Sequence, residues 1–386
     1  MPKHKEDSPP GLRVAFANDT SGTSNPGCLG TVTQLLGLIE DSFGWQVVSR
    51  VPLGYGYDIV ESMLHDPAKP AIRARKRRGL LRRRKQALAT SDLCTLEERW
   101  QACCHALGER IEPLWASVDA LVVNGEGTLH HDSRGAFALI ALCQAAKALG
   151  KGVFLVNASL FELSPFLLEK LAAAVDCISV REPLSLRYLN DQGIAAQLSA
   201  DSLFLAEPAK GTGSLGMNQE PYVVYTPGVL SYTGAITEGR IDQDVRELQS
   251  YGVRVIYYVV EQDDEALARP ARDAGAEILA LGACTQDQLG QLLRQAEWVV
   301  SGRYHINIFS ALEGTAFLPL ETNTQKMRGL LEHLNVAADY RIRSWENAAA
   351  APALQQSKAI TVTSDQVLHC SSLARKELKP TRWTHS

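Results

Sequence analysis

The sequence predicts an α/β protein built from two parallel-sheet domains in series. Three observations lead there. Short β-branched and aliphatic runs alternate with longer stretches of helical spacing from Leu12 to Leu334, the pattern of strands joined by crossover helices. The alternation breaks once, at EPAKGTGSLGMNQE, a run rich in Gly, Pro and polar residues. The chain has 386 residues, more than the about 250–300 that a single core usually serves.

Each element follows from its local pattern. In the first half, Leu12–Ala17, Gln46–Val51, Ala120–Asn124, Val153–Asn157, Cys177–Arg181 and Gln197–Ala200 read as strands. Between them, Val32–Asp41, Leu96–Leu107, Ile111–Ala116, Ala136–Leu149, Pro165–Val175 and Leu184–Asp191 have helical spacing. In the second half the strands are Tyr222–Tyr225, Val253–Val259, Glu277–Ala280, Trp298–Ser301 and Phe317–Glu321. Helices are expected at Ile241–Tyr251, Asp263–Ala274, Thr285–Ala296, Ile306–Glu313 and Lys326–Leu334. The first domain is assigned to 11–206, a linker to 207–219 and the second domain to 220–342. An irregular tail covers 343–386, with a terminal helix expected to cross back onto the first domain.

Composition narrows the function. Hydrophobic residues make up 45%, charged residues 21%, and the net charge is -4, so nothing global points to nucleic acid. The N-terminus is polar and Pro-rich. No run reaches the roughly 18–20 apolar residues of a membrane span. The chain is therefore expected to be soluble and cytoplasmic. Eight scattered cysteines form no CxxC pair and read as reduced structural thiols, without a metal.

In open parallel sheets, ligands bind beyond the carboxyl ends of strands, where helix N-termini offer N–H groups to anions. The strongest such exit is WVVSGRYHINIFSALEG. If the chain stays extended there, Arg303 and His305 face the same way. Arginine matches a carboxylate or phosphate with its planar fork, and histidine exchanges a proton near neutral pH. A surface arginine beside a helix-capping histidine is an equal alternative on local pattern. The exit VVNGEGTLHHD offers Asn124, Glu126, Thr128 and His130, with Glu126 a candidate general base. A tight turn with solvated polar groups is the plainer reading, and adjacent His130 and His131 are poor metal ligands. At SVREPLS, Arg181 can reach the cleft or pair with Glu182. Asp201 in SADS is a helix cap or a cleft carboxylate. Asn323 and Lys326, after FLPLE, can contact an anion or cap the next helix. Asn18 and Asn25 lie in a long polar loop that has neither GxGxxG nor GxxxxGK[ST].

One charge anomaly remains, IRARKRRGLLRRRKQALA at 72–89. Its run Arg73–Lys85 reads as a solvated insertion, as a contact for a lipid-linked acceptor at an anionic membrane surface, or, third, as a nucleic-acid patch.

Taken in order, the motifs VVNGEGTLH, SVREPLS, SADSLF and SGRYHINIFSALEGTAFLPLETNTQK resemble those of the polysaccharide pyruvyl transferase family, from Leu12 to Leu334. Two departures are Glu126 where Gly is common, and Asn25-Pro26-Gly27 followed by Cys28 where an acidic residue is common. The resemblance implies two Rossmann-like domains facing a cleft, similar to GT-B glycosyltransferases. It implies transfer of a pyruvyl group from phosphoenolpyruvate to sugar hydroxyls, giving a ketal, with no further cofactor. Arg303, His305 and Arg181 would bind the donor, joined by Asn323 and Lys326. His305 would assist proton transfer, and Glu126 or Asp201 would deprotonate the acceptor. Asn18, Asn25, Asn124, Thr128 and His130 would hold that acceptor, a sugar or lipid-linked glycan. The rival readings are a nucleotide-sugar glycosyltransferase, with Glu313 or Glu321 on the ribose, and a non-catalytic sugar-binding relative.

Overall fold

The computed structural model describes residues 11–64, 93–211, 220–228, 236–336, 342 and 359–376. The basic run Arg73–Lys85, residues 212–219 of the linker, and tail segments 343–358 and 377–386 lie outside the described residues.

Six strands form the first sheet: β1 (Arg13–Asp19), β2 (Gln46–Pro52), β3 (Ala120–His130), β4 (Gly152–Phe161), β5 (Cys177–Val180) and β6 (Gln197–Leu198). Their order is β2-β1-β3-β4-β5-β6. Five form the second: β7 (Tyr222–Thr226), β8 (Arg254–Tyr258), β9 (Glu277–Leu279), β10 (Trp298–Ser301) and β11 (Phe317–Pro319), in the order β11-β10-β7-β8-β9. All pairings of these strands are parallel. Strand alternation sends side chains to two core layers per sheet. Val14 and Phe16 of β1 meet Val32 and Leu35, while Ala15 and Ala17 join Trp100 and Leu107 on the other face. In β7, Tyr222 and Val224 serve one layer and Val223 and Tyr225 the other.

Helices cover both faces. In the first half they are α1 (Pro26–Gly37), α2 (Tyr57–Leu64), α3 (Leu93–Ile111), α4 (Arg134–Ala148), α5 (Pro165–Ala174) and α6 (Pro183–Asp191). In the second they are α7 (Glu238–Gln249), α8 (Gln262–Asp273), α9 (Gln286–Gln295), α10 (Tyr304–Leu312) and α11 (Lys326–His333), and α12 (Ser364–Ala374) ends the described chain. Trp100 of α3 is fully buried, edge-on to Phe166 at 5.5 Å. Truncating so large a core side chain typically costs about 3–5 kcal/mol.

Several boundaries differ from the sequence reading, each for a physical reason. The helix expected over Ile111–Ala116 is absent, because Pro113 cannot continue α3 and restricts the residue before it. The chain turns there and tucks Trp115 into the core. Helix α1 starts six residues before Val32. Asn25 caps it, its side chain accepting from Gly27 N at 2.9 Å, and Pro26 fits the first turn. Strand β3 does not stop at Gly125. Glu126 takes a positive φ of 38°, and the β3–β4 register shifts between Glu126 and Leu129, so pairing resumes beyond the irregularity.

The cores also divide the chain differently from the assigned boundary. Ala200, Leu203, Phe204 and Ala206 pack in one layer with Leu289, Ile308 and Phe317 of the second half. Just beyond, Ala209 N donates to Glu313 Oε1 at 2.8 Å and Lys210 N to Asp287 Oδ1 at 3.0 Å. Glu313 is thereby committed to the linker and to Arg294. Helix α12 belongs mainly to the second core, through Cys370 and Ala374. It also binds the 3-10 turn after β6, Ser371 Oγ donating to Phe204 O at 2.6 Å. The reach toward the first sheet is Gln197 Nε2 to Lys376 O at 3.5 Å. Among the described residues no helix is long and apolar enough to cross a membrane.

Candidate active site

Strand order locates the site. In the first sheet the order reverses between β1 and β3, in the second between β7 and β10. Ligand crevices open beyond the carboxyl ends of strands at such switch points. The two crevices share a wall, the first turn of α1, which follows β1. Gly27 lies so close to His305 that a β-carbon on it would fall 2.2 Å from the histidine Cβ. A cavity of about 460 Å³ lined by Pro221, Val253 and Arg254 lies instead at the amino ends of β7 and β8, away from these exits.

At the β10 exit, Arg303 is the N-cap of α10 and His305 is already helical. Arg303 N donates to Ser301 Oγ at 2.9 Å, and Asn307 Nδ2 holds the carbonyls of Ser301 and Arg303 at 3.1 Å each. The extended geometry expected for Arg303 and His305 is thus replaced by a helix start, and the two side chains go to different partners. Arg303 Nη1 meets Glu261 Oε2 at 2.6 Å and Nη2 meets Asp264 Oδ1 at 2.7 Å. Its fork is filled by the protein's own carboxylates. Its Nε, buried, has no hydrogen-bond partner among the described residues. His305 Nε2 lies 3.4 Å from each of Asp201 Oδ2, Arg181 Nη1 and Thr31 Oγ1.

Arg181, buried beyond β5, donates Nε to Ser159 Oγ at 2.8 Å and Nη1 to Asp201 Oδ2 at 2.7 Å. It lies over the Tyr304 ring at 4.5 Å. The surface pairing with Glu182 does not occur, since Glu182 caps α6 through Ser185 N. Asp201 has 0% exposure. Burial alone would raise its carboxyl pKa, but the charge of Arg181, with His305 and the Leu203 N–H, holds it well below the usual range. It is a cap and an ion-pair partner, poorly suited to the role of base. His333 Nδ1 faces the Arg181 carbonyl at 3.3 Å and fixes that turn from α11.

Nη2 of Arg181 points elsewhere. A β-carbon on Gly127 would lie 3.6 Å from Arg181 Nη2 and 3.6 Å from Lys326 Nζ, so two cations from opposite domains converge where a side chain is missing. Burial, then the charges of Arg181 and Arg303, pull the Lys326 ammonium down to about 8. Asn323, on the same turn, has a buried Oδ1 with no hydrogen-bond partner among the described residues, and its carbonyl faces His131 Nε2 at 3.2 Å. Burial, then Lys326 and His131, lower His130 to about 4 and keep it neutral.

The expected acceptor residues fall into two groups. Asn124 has no exposed surface and spends its side chain on Glu126 Oε1 (2.7 Å) and Asn157 Nδ2 (3.1 Å). Asn18 Nδ2 holds Asn124 O at 2.6 Å and Thr128 Oγ1 at 3.1 Å. These two asparagines brace the β1 and β3 exits, and Asn124 does not reach the cleft. Asn25 Nδ2 reaches Glu261 Oε1 at 2.8 Å, His130 lies near enough to Lys326 to feel its charge, and Thr128 shares a small pocket with Asn18, Tyr55 and Tyr57. Glu126 also accepts from Thr20 Oγ1 at 2.7 Å and faces Cys28 Sγ at 3.5 Å. Among the described residues no three His, Cys, Asp or Glu side chains gather as a metal would require.

Sequence reasoning missed Glu261, Asp264, Thr31, Ser159 and the meeting of two cations at Gly127. Glu261 and Asp264 had a readable signal, an E-x-x-D capping box just after the β8 strand. No local pattern marks the others.

Two all-parallel sheets with their switch points on one cleft define a GT-B-type architecture, and solved structures share it. MnaA of S. aureus, in a co-structure with UDP, matches at 12% identity over 95% of this chain and 91% of that one, with a TM-score of 0.55. A UDP-N-acetylglucosamine 2-epimerase of Methanocaldococcus jannaschii matches at 10% identity over 94% and 97%, TM-score 0.52. A Listeria monocytogenes protein described as a UDP-N-acetylglucosamine 2-epimerase matches at 12% over 95% and 92%, TM-score 0.52. At such identities the likeness is one of fold. No curated protein matches the chain significantly. The particular assignment comes from the family model for polysaccharide pyruvyl transferase, which matches residues 54–324. The chain belongs to that family of transferases.

Proposed function

We propose that the chain transfers a pyruvyl group from phosphoenolpyruvate to two hydroxyls of one sugar in a glycan or glycan precursor, forming a pyruvate ketal. The observation that carries this reading is the convergence of Arg181 Nη2 and Lys326 Nζ on Gly127. Phosphoenolpyruvate brings a phosphate and a carboxylate on one carbon, and a two-cation cradle suits that charge. His305, backed by Asp201, delivers a proton to the methylene carbon. The resulting oxocarbenium carbon takes the first hydroxyl, phosphate leaves, and the second hydroxyl closes the ketal. Of the two hydroxyl protons, one balances the proton added to carbon and one leaves with phosphate. Glu126 accepts a proton on the acceptor side. Arg303, its fork occupied by Glu261 and Asp264, holds the cleft wall. The enol phosphate itself drives the transfer, so no cofactor is needed. A lipid-linked glycan is the acceptor class to try first, because the run Arg73–Lys85 would meet its phosphates at an anionic membrane surface.

Calorimetry with phosphoenolpyruvate, and with UDP-N-acetylglucosamine as counter-ligand, tests the donor. Saturable binding of the first that is weakened about tenfold or more in Lys326→Ala is the expected outcome. Binding of the nucleotide sugar alone would sink the reading in favour of a glycosyltransferase.

A further inference from the structure

Ketal formation removes a proton from each of two hydroxyls, and the proposed function supplies one carboxylate, Glu126. A second carboxylate stands across the cleft. Glu261 is the N-cap of α8 at the exit of β8. Its Oε2 accepts from Arg303 Nη1 at 2.6 Å, and its Oε1 accepts from Asn25 Nδ2 at 2.8 Å. Its side chain is 36% exposed, whereas those of Asp201 and Asp264 are at 0%. The side chain also joins the capping box of α8, accepting from the Asp264 backbone, and a carboxylate offers about four lone-pair sites over its two oxygens, enough for a further proton. Asn25 caps α1, and Cys28, three residues on, faces Glu126 Oε2 at 3.5 Å. The two carboxylates, one from each domain, thus meet neighbouring residues of the same helical turn.

The charges of both carboxylates act on the residues between them. The Cys28 thiol is pushed well up by burial and by the charges of both Glu126 and Glu261, so it is an inert neutral spacer between them. The Lys326 ammonium, at the Gly127 cradle, responds to Arg181, Arg303, Glu261 and Cys28 alike. For Glu261 itself, burial would raise the carboxyl, but Arg303 and Asn25 hold it below its ordinary value. It is therefore ionised at neutral pH. A weak base suffices here, because the attacking hydroxyl becomes acidic as its oxygen bonds to an oxocarbenium carbon.

Resting on the proposed function, we infer that Glu261 is the second catalytic carboxylate, taking the proton of one acceptor hydroxyl while Glu126 serves the other. As the C–O bond forms, the O–H bond breaks and the proton passes to Glu261 Oε1, from which it leaves with phosphate or to solvent. Arg303 is then a positioning residue, since it and Asn25 aim the carboxylate.

The test uses the full chain, phosphoenolpyruvate, and a panel of free oligosaccharides and lipid-diphosphate-linked glycans, reading phosphate release and donor binding separately. Glu261→Gln keeps the side chain's shape but cannot take a proton. It is expected to bind phosphoenolpyruvate within about twofold of wild type while turnover falls about 10²–10⁴-fold. Formate should restore part of the rate in Glu261→Ala, which a merely structural role would not allow. Glu261→Gln turnover within about threefold of wild type, donor binding lost in step with rate, or no rescue by formate would each overturn the inference alone. A wild-type chain that releases no phosphate with any acceptor overturns the proposed function, and the inference with it.

Discussion

Arg181 and Arg303 leave the carboxyl ends of two strands, one in each sheet, and local sequence does not tell them apart. Their surroundings do. Arg181 answers to one carboxylate, Asp201, and one hydroxyl, Ser159, which leaves Nη2 at the cleft. Arg303 answers to two carboxylates, Glu261 and Asp264, and keeps only Nε. The first cluster is neutral with a donor to spare. The second carries one more negative than positive charge. An arginine at a strand exit recognises a foreign anion only where the protein has not already filled its fork.

The largest test of that difference is stability. Arg303→Ala strands the fully buried Asp264 and should cost about 3–5 kcal/mol, the usual penalty for breaking a buried pair, measured by urea unfolding. The double change Arg303→Met with Asp264→Leu should recover most of it. An unchanged midpoint for Arg303→Ala would mean the two arginines are equally free, and the comparison breaks.

Next comes affinity. Lys326→Ala removes a charged donor from the cradle and should weaken phosphoenolpyruvate binding by about 1.5–3 kcal/mol, without lowering the melting temperature. Lysine is charged below its pKa, and that of Lys326 is pulled down to about 8 by burial and by Arg181 and Arg303. Wild-type affinity should therefore fall as pH rises through that value, with a proton taken up on binding above it. Lys326→Ala should lack this fall, and calorimetry across the pH range checks both.

The smallest effect expected is that of Gly127→Ala. Its β-carbon would sit 3.6 Å from both cations, ordinary van der Waals contact, so the fold should tolerate it. The cradle mouth narrows by one methyl, worth about tenfold in donor affinity. A Gly127→Ala chain that binds as tightly as wild type would place the donor away from Gly127.

Much of the fold was legible because its signals are local. Trp298–Ser301 was read at its observed bounds, and the helix expected from Thr285 is capped there, with Gln288 reciprocating. The start of α1 was not legible, because its first turn packs against His305 of the second domain and carries Pro26, Gly27 and Cys28 in place of an apolar stripe. The run of β3 past Gly125 was hidden by glycine, which usually marks a strand end and here accompanies a bulge. Within the site, Arg181, Lys326 and His305 were picked out from their places at strand exits. Their mutual arrangement was not, and the extended-chain argument for Arg303 and His305 failed because the helix begins at Tyr304.

By itself, the sequence determined the alternation of strands and helices, the break into two sheets, the exits where polar residues cluster, and the ordered motifs of the polysaccharide pyruvyl transferase family. Each is set by neighbours a few residues apart. Tertiary structure alone decided which charge meets which. Arg303 meets Asp264 across 39 residues, Asn25 meets Glu261 across 236, and Arg181 meets His305 across 124. Coulomb interactions depend on distance in space and on burial, and neither is written in local periodicity.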